Sequence, residues 1–532
     1  MPVRRPLFAL VAAAAVVASG LVTGAAASAA PGIDPAPGGY TPPPIAWTSC
    51  PPANDYPKNF QCGNVTVPLD WNDVGGAKIT LAVTRVKHTT KRYQGVMLVN
   101  PGGPGGSGTI YPVLKDAVPN GGGATYDWIG FDPRGVGESK PALTCDTDFF
   151  TGPRPAYVPS TKAVERAWIG KSKAYAAACA KKNGPLLAHI TTEDSVKDMD
   201  AIRVALGRAQ INYLGYSYGT TLGQTYATLF PTHLRRAIFD SNTDPRSDWF
   251  RGNFDQDIAF EKVFRVFAGW VAKYDTSYHL GTTQDAVVKK LVAVRAGLDK
   301  KPVGTIGGDE WVDTLLVAGY AQSVWPSIAQ TASAWINKHD KKALQAAYDT
   351  FGASPDDNGY AVYLATSCNE SYWPSYSVYK ADSWRYHRVA PFETWANSWF
   401  NGGCIWWPLP EQAPVEVDGS QAAPVLLIDE TLDAATPYAG SLETRRRFPK
   451  SVLLAEPGGT SHANSLAGNA CVDNTIAAYL KDGTLPKRKA GNGADKTCKP
   501  LPQPKPAKTS VGGSGSGSGK ANQALLRAGL LH

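Results

Sequence analysis

A basic stripe, a C-x-x-C pair, an internal repeat and a late apolar run are all missing from this 532-residue chain. Each absence removes a class of function. The formal charge of +8 includes Arg4 and Arg5 and is otherwise scattered, so no Lys/Arg surface is offered to nucleic acid and the charge reads as solvation. Without C-x-x-C spacing the cysteines are not a zinc set. No segment after the N-terminus holds 18 uninterrupted apolar residues, so no membrane span is expected in the mature chain. In the tail Lys520 is followed by Ala521, and the glycine loop near Gly102 also lacks a Gly-Lys-Ser/Thr ending, which removes a phosphate-binding loop. With 43% hydrophobic and 18% charged residues the chain is globular rather than disordered or fibrous. Its length suffices for one large domain with an insertion, or for two domains.

The two ends carry their own signals. Arg4 and Arg5 precede the apolar run Leu7 to Val17, and Ala27-Ser28-Ala29 supplies small residues at the −3 and −1 positions. Residues 1–30 are therefore expected to be a secretory signal peptide, cut after Ala29 or Ala30, and the mature protein to be secreted, extracellular or held at the cell wall. Eight cysteines remain, an even number that argues for disulfides in an exported chain. Pairing neighbours in order gives Cys50–Cys62, Cys145–Cys179, Cys368–Cys404 and Cys471–Cys498, with other connectivities left open. Residues 31–57 are rich in Pro and Gly and read as an extended N-terminal arm; 500–532 read as a flexible tail ending in a Gly/Ser linker.

Between these ends the chain is organised around Ile211 to Gly223. Gly215-Tyr216-Ser217-Tyr218-Gly219 matches the G-x-S-x-G turn in which a buried strand passes sharply into a helix and presents a serine hydroxyl at the tip. The turn strains the serine backbone, and a side chain two residues before or after would collide, hence glycine at both ends. Ile211 to Leu214 reads as the strand, and Thr220 to Phe230 has apolar residues at helical spacing and stops at Pro231. Strands are also expected at Val65–Leu69, Ile79–Val86, Gly95–Val99, Tyr126–Phe131 and Arg236–Asp240, and a helix at Thr191–Gly207 capped by Thr192 or Asp194. Strand and helix alternate from 95 to 240, which implies a mostly parallel sheet with helices on both faces, an α/β fold.

The alternation is lost between about Pro245 and Pro414. That segment is helical in texture and holds Trp249, Trp270, Trp311, Trp325, Trp335, Trp373, Trp384, Trp395, Trp399, Trp406 and Trp407. It reads as a cap, residues 245–414, inserted between core halves at 58–244 and 415–499; most of its Trp side chains are expected to pack the cap itself and the remainder to line a cleft. The sheet resumes at Ala423–Ile428 and Ser451–Ala455, with a last helix at about Ala463–Leu480.

A serine hydroxyl needs a base to take its proton, and the base needs an acid to orient it and offset its charge. In the order Ser, Asp, His, the acid follows one late strand and the base the next. Asp433 lies after the strand at 423–428, ahead of Asp429 and Glu430 as candidates, and of eight histidines only His462 lies in the loop after the last strand. Gly103, in the loop Gly102-Gly103-Pro104-Gly105, and Tyr218, after the nucleophile, are positioned to donate backbone amides to an oxyanion. No cofactor or metal is called for.

Pro101-Gly102-Gly103-Pro104-Gly105, the stretch Phe131 to Ser139 (FDPRGVGES), Thr191-Thr192-Glu193-Asp194-Ser195 with Asp198, Asp200 and Leu206-Gly207, the elbow, and Asp433-Ala434-Ala435-Thr436-Pro437 together resemble the secreted tripeptidyl aminopeptidases of actinomycetes. These are α/β-hydrolases related to the proline iminopeptidases. The resemblance spans about Cys50 to Cys498 and implies an α/β-hydrolase fold with an inserted helical cap, and a serine exopeptidase that releases short peptides, tripeptides foremost, from free N-termini. Its nucleophile, acid and base fall on Ser217, Asp433 and His462. Two departures stand out. Proline iminopeptidases have His before Gly-Gly-Pro-Gly where this chain has Pro101, and relatives carry Asp soon after a cap cysteine where this chain has Cys368-Asn369-Glu370. Glu370, with Asn369 beside it, is thereby the expected partner of a substrate's α-ammonium. The expected partner molecule is a peptide with a free N-terminus, and the protein is expected to be a monomer. Two other classes stand beside this one: an exported esterase or amide hydrolase with the same triad, and a non-catalytic surface protein that keeps the fold.

Overall fold

The structure is a computed structural model that describes residues 32–54, 56–151, 154–352 and 357–506. The expected signal peptide and the tail from residue 507 lie outside the described residues.

Among the described residues ten strands form one sheet: β1 Thr48–Ser49, β2 Phe60–Pro68, β3 Lys78–Val86, β4 Val96–Asn100, β5 Asp127–Phe131, β6 Ile211–Tyr216, β7 Leu234–Asp240, β8 Val425–Glu430, β9 Val452–Glu456 and β10 Lys496–Thr497. Their order is β1-β2-β3-β5-β4-β6-β7-β8-β9-β10, antiparallel from β1 to β5 and parallel from β5 to β10. This is the α/β-hydrolase fold. Every residue of β4, β5, β6, β8 and β9 is buried, as parallel strands covered on both faces require. Alternation assigns the faces: Val96 and Leu98 join the core under the helical layer, while Met97 and Val99 join Trp128, Leu214 and Ile428 against the last helix.

That last helix is Ala470–Asp482, capped by Asn469, and so begins later than the pattern predicts. The intervening residues are held as a loop instead. Ala463 N–H donates to Ser241 Oγ, Ser465 N–H to Asp240, and Leu466 and Gly468 N–H to Asp473, while Ala463 and Leu466 take positive φ. Helix Thr192–Ala205 is capped by Thr191, whose Oγ1 accepts from Asp194 N–H, rather than by Thr192 or Asp194.

Between β7 and β8 the regular structure of the described residues is helical, joined by loops, with one isolated bridge between Val303 and Ile306. This helical layer also recruits a segment from the first half of the core. Helix Lys162–Asn183 and the loop before it leave the sheet: Trp168 stacks on Trp399 at 5.7 Å, Tyr175 donates to Asp357 at 2.7 Å, and Arg154 bridges Glu310 and Asp313 at 2.9 and 2.6 Å. Trp168 and Tyr175 bury their rings there.

The four disulfides are Cys50–Cys62, Cys145–Cys179, Cys368–Cys404 and Cys471–Cys498. The arm at 32–54 is pinned, with Ala36 and Ile45 in the core and Tyr40 donating to the Thr66 carbonyl. The reading of 500–532 as free tail fails over its first residues. Gln322 Nε2 donates to the Leu501 carbonyl at 3.0 Å and Trp270 Nε1 to the Pro504 carbonyl at 2.9 Å, so residues 500–506 strap the sheet to the helical layer. These carbonyls supply acceptors that a buried indole N–H and a buried amide require.

Candidate active site

β6 ends at Tyr216, and helix Tyr218–Leu229 starts two residues on. Ser217 sits between them at φ 54°, ψ −129°, a strained conformation for a residue with a side chain. Its N–H donates to the Asp240 carbonyl, which ties the turn to β7. The flanking glycines are required by contact. A Cβ on Gly215 would stand 2.4 Å from the Gly219 carbonyl oxygen, and one on Gly219 2.6 Å from that of Asn100.

Asp433 and His462 reach this point from the ends of β8 and β9. Asp433 Oδ1 accepts from Ala435 N–H at 2.9 Å and Thr436 N–H at 3.0 Å; Oδ2 accepts from Thr436 Oγ1 at 3.0 Å and from His462 Nδ1 at 2.8 Å. The acid is thus oriented and shut away from water, 2% exposed. Burial disfavours a charge on His462, yet the charge and hydrogen bond of Asp433, with Asp240 behind, outweigh it and hold the imidazole above its ordinary pKa. The competing acids are engaged elsewhere. Asp429 accepts from Ser441 Oγ, and Glu430 accepts from Ser461 N–H and Asn464 Nδ2.

Ser217, His462 and Asp433 open onto one cavity of about 690 Å³ between the strand ends and the helical layer. Among the described hydrogen bonds His462 is joined to Asp433 and not to Ser217. That link commonly closes only when substrate fills the site. Gly103 and Tyr218 line the same cavity, and no described hydrogen bond consumes the N–H of either. The loop lies close because Gly102, at φ 96°, carries no Cβ; one there would stand 2.7 Å from Tyr218 N. Asn100 Oδ1 accepts from Gly102 N–H and fixes the loop, and Asp132 accepts from Ser107 Oγ and Gly108 N–H. The rest of the FDPRGVGES stretch is structural: Arg134 makes a two-pronged pair with Asp198 at 2.8 and 2.7 Å, both buried.

Glu370 lines the cavity, but both of its oxygens are occupied. Oε1 accepts from Thr192 N–H, and Oε2 from Thr192 Oγ1 at 2.9 Å. Burial raises its carboxyl to about 7 against these bonds. Asn369 does not belong to the cavity. It is fully buried, donates to the Leu187 and Ile190 carbonyls and accepts from Trp407 Nε1, so it brackets the layer and is corrected as a substrate contact. Of the eleven tryptophans noted between 245 and 414, Trp249 lines the cavity.

The sequence reading missed Tyr320 and Thr436. The Tyr320 carbonyl accepts from His462 N–H at 2.7 Å, and its ring stands edge-on to the imidazole at 5.7 Å. Thr436 was present in the Asp433-to-Pro437 stretch, whereas nothing local to Tyr320 marks it.

Residues 390–498 match the family profile described as TAP-like protein. The chain is 40% identical over 471 residues to a tripeptidyl aminopeptidase of Streptomyces lividans, covering 86% of this chain and 87% of the relative. It is 32% identical over 524 residues to carboxylesterase B of Mycobacterium tuberculosis, covering 91% and 97%. It is 29% identical over 479 residues to serine protease Hip1 of the same species, covering 83% and 90%.

Proposed function

The chain belongs to the tripeptidyl aminopeptidase family of α/β-hydrolases, and we propose that it is a secreted serine aminopeptidase releasing tripeptides from free N-termini. The observation that carries the reading is the buried Asp433–His462 hydrogen bond facing the same cavity as the strained Ser217. Ser217 Oγ attacks the scissile carbonyl carbon as His462 Nε2 takes its proton, and Asp433 offsets the imidazolium charge. The carbonyl oxygen becomes an oxyanion and accepts from the Gly103 and Tyr218 amides. The C–N bond breaks, His462 protonates the departing amine, and an acyl group remains on Ser217. Water then attacks this ester with His462 again as base, and the short peptide leaves as its carboxylate. Disulfide pairing of every cysteine supports an oxidising compartment.

A second reading, an esterase, is favoured by the likeness to carboxylesterase B. Substrates separate the two. A free tripeptide anilide is expected to be cut and its N-acetyl form spared; indifference to acetylation selects the esterase. Ser217→Ala is expected to lower kcat by about 10⁴- to 10⁶-fold with the melting temperature held, and failure of Ser217 to react with a fluorophosphonate overturns both readings.

A further inference from the structure

Among the described residues, the cavity wall holds one buried carboxylate that neither the triad nor the packing employs. Glu393 is 5% exposed and lines the cavity. It occupies the N-cap position of helix Thr394–Phe400, where a carboxylate ordinarily accepts from the helix amides, yet it makes no such bond. Among the described residues no hydrogen bond or ion pair reaches its carboxylate. The charges that act on it are Asp257 and Glu261 of helix Trp249–Lys273 and Asp313 of helix Gly308–Leu316, all acidic. Those three already have partners. Asp257 accepts from Asn397 Nδ2 at 2.9 Å, Glu261 pairs with Arg265 at 2.7 Å, and Asp313 pairs with Arg154 and accepts from Tyr157. Burial, with this acidic surround, holds the Glu393 carboxyl well above the usual carboxylate range. An ionised carboxylate in such a place is costly without a cation, and no protein cation is supplied.

Resting on the aminopeptidase reading, we propose that Glu393 binds the substrate's α-ammonium and that Glu370 does not. Glu370 spends both oxygens on Thr192 at the start of helix Thr192–Ala205, whereas Glu393 offers all of its acceptor sites to a ligand. The position fits the chemistry. Tyr320 stands edge-on to His462, and its hydroxyl feels the Glu393 charge. A substrate anchored at Glu393 therefore enters the site from one tyrosine side chain beyond the imidazole. The chain length between anchor and Ser217 then sets how many residues are released, an extended tripeptide spanning about 10 Å.

The test compares kcat and KM on a free and an N-acetylated tripeptide p-nitroanilide for the wild type, Glu393→Gln and Glu370→Gln, with fluorophosphonate labelling of Ser217 reporting a folded site. The preference for the free amine is expected to fall about 100-fold in Glu393→Gln, mostly through KM, while Ser217 is still labelled. Glu370→Gln is expected to lower the melting temperature and keep the preference. A preference intact in Glu393→Gln, or lost instead in Glu370→Gln, overturns the assignment and leaves the aminopeptidase reading standing. A labelled wild type that cuts both substrates equally overturns the aminopeptidase reading, and the assignment falls with it.

Discussion

Below the cavity, Ser217, Asp433 and His462 each follow a buried parallel strand; above it, Trp249, Tyr320 and Glu393 stand in a helical layer that no strand ladder holds. The lower half is positioned by register. β6, β8 and β9 are laid down by continuous hydrogen-bonded pairing through β7, so three loops far apart in the chain emerge side by side. The upper half is positioned by aromatic packing, such as Trp168 on Trp399 and Trp395 on Trp399, and by a few threads to the lower half. Two threads are His462 N–H to the Tyr320 carbonyl and Gln322 N–H to Ser461 Oγ. On the proposed reading, the half held by strand register carries the chemistry and the half held by side-chain packing carries the choice of substrate.

Adding a single methyl group to each half is the strongest way to break this contrast. Gly219→Ala drives a Cβ to 2.6 Å from the Asn100 carbonyl oxygen, backbone that cannot yield without moving β4. It is expected to cost more than about 3 kcal/mol and to abolish activity. Gly297→Ala, inside helix Gln284–Lys300, meets nothing within 4 Å and is expected to gain about 0.5–1 kcal/mol through helix propensity. Thermal melts of the two variants check this. Similar losses in both would mean the layer is as tightly determined as the elbow.

The same contrast explains what the sequence made legible. Ser217 and its glycines could be read because the elbow is local: collision at Gly215 and Gly219 is dictated within a few residues of the serine. Asp433 and His462 could be read as neighbours because each follows a short apolar run ending in polar loop residues, and chain order gives them the proposed roles. Asp429 and Glu430, ranked behind Asp433 from the sequence, are set apart from it in the structure by partners 10 or more residues away, Ser441 and Ser461. Glu393 carries no local signal at all. Its significance lies in the partners it lacks, and those are distributed over three helices. The recruitment of helix Lys162–Asn183 into the layer was hidden for the same reason, since its partners Trp399 and Asp357 lie about 200 residues downstream.

A smaller effect, tenfold per pH unit at most, sharpens the lower half. In the proposed mechanism His462 acts as a base only when neutral, and its pKa stands above the ordinary imidazole value because Asp433 and Asp240 outweigh burial. Activity is therefore present at high pH and lost as pH falls through that raised pKa, so the acid limb of kcat/KM is expected above about 6.5. Asp240→Asn removes one of the two negative charges and is expected to move the limb to lower pH. A limb that stays in place means Asp433 alone sets the base.

The smallest effect tests the strap between the halves. Ending the chain after Pro500 removes the acceptors of Gln322 Nε2 and Trp270 Nε1, two hydrogen bonds of about 1 kcal/mol each. Gln322 also donates its N–H to Ser461 Oγ, next to His462, so slack in the layer is passed to the base. If the halves are coupled through this thread, kcat is expected to fall about two- to threefold along with a rise in KM. If the strap serves the layer alone, KM rises and kcat holds, because the register of β8 and β9 keeps Asp433 and His462 together whatever the helices do.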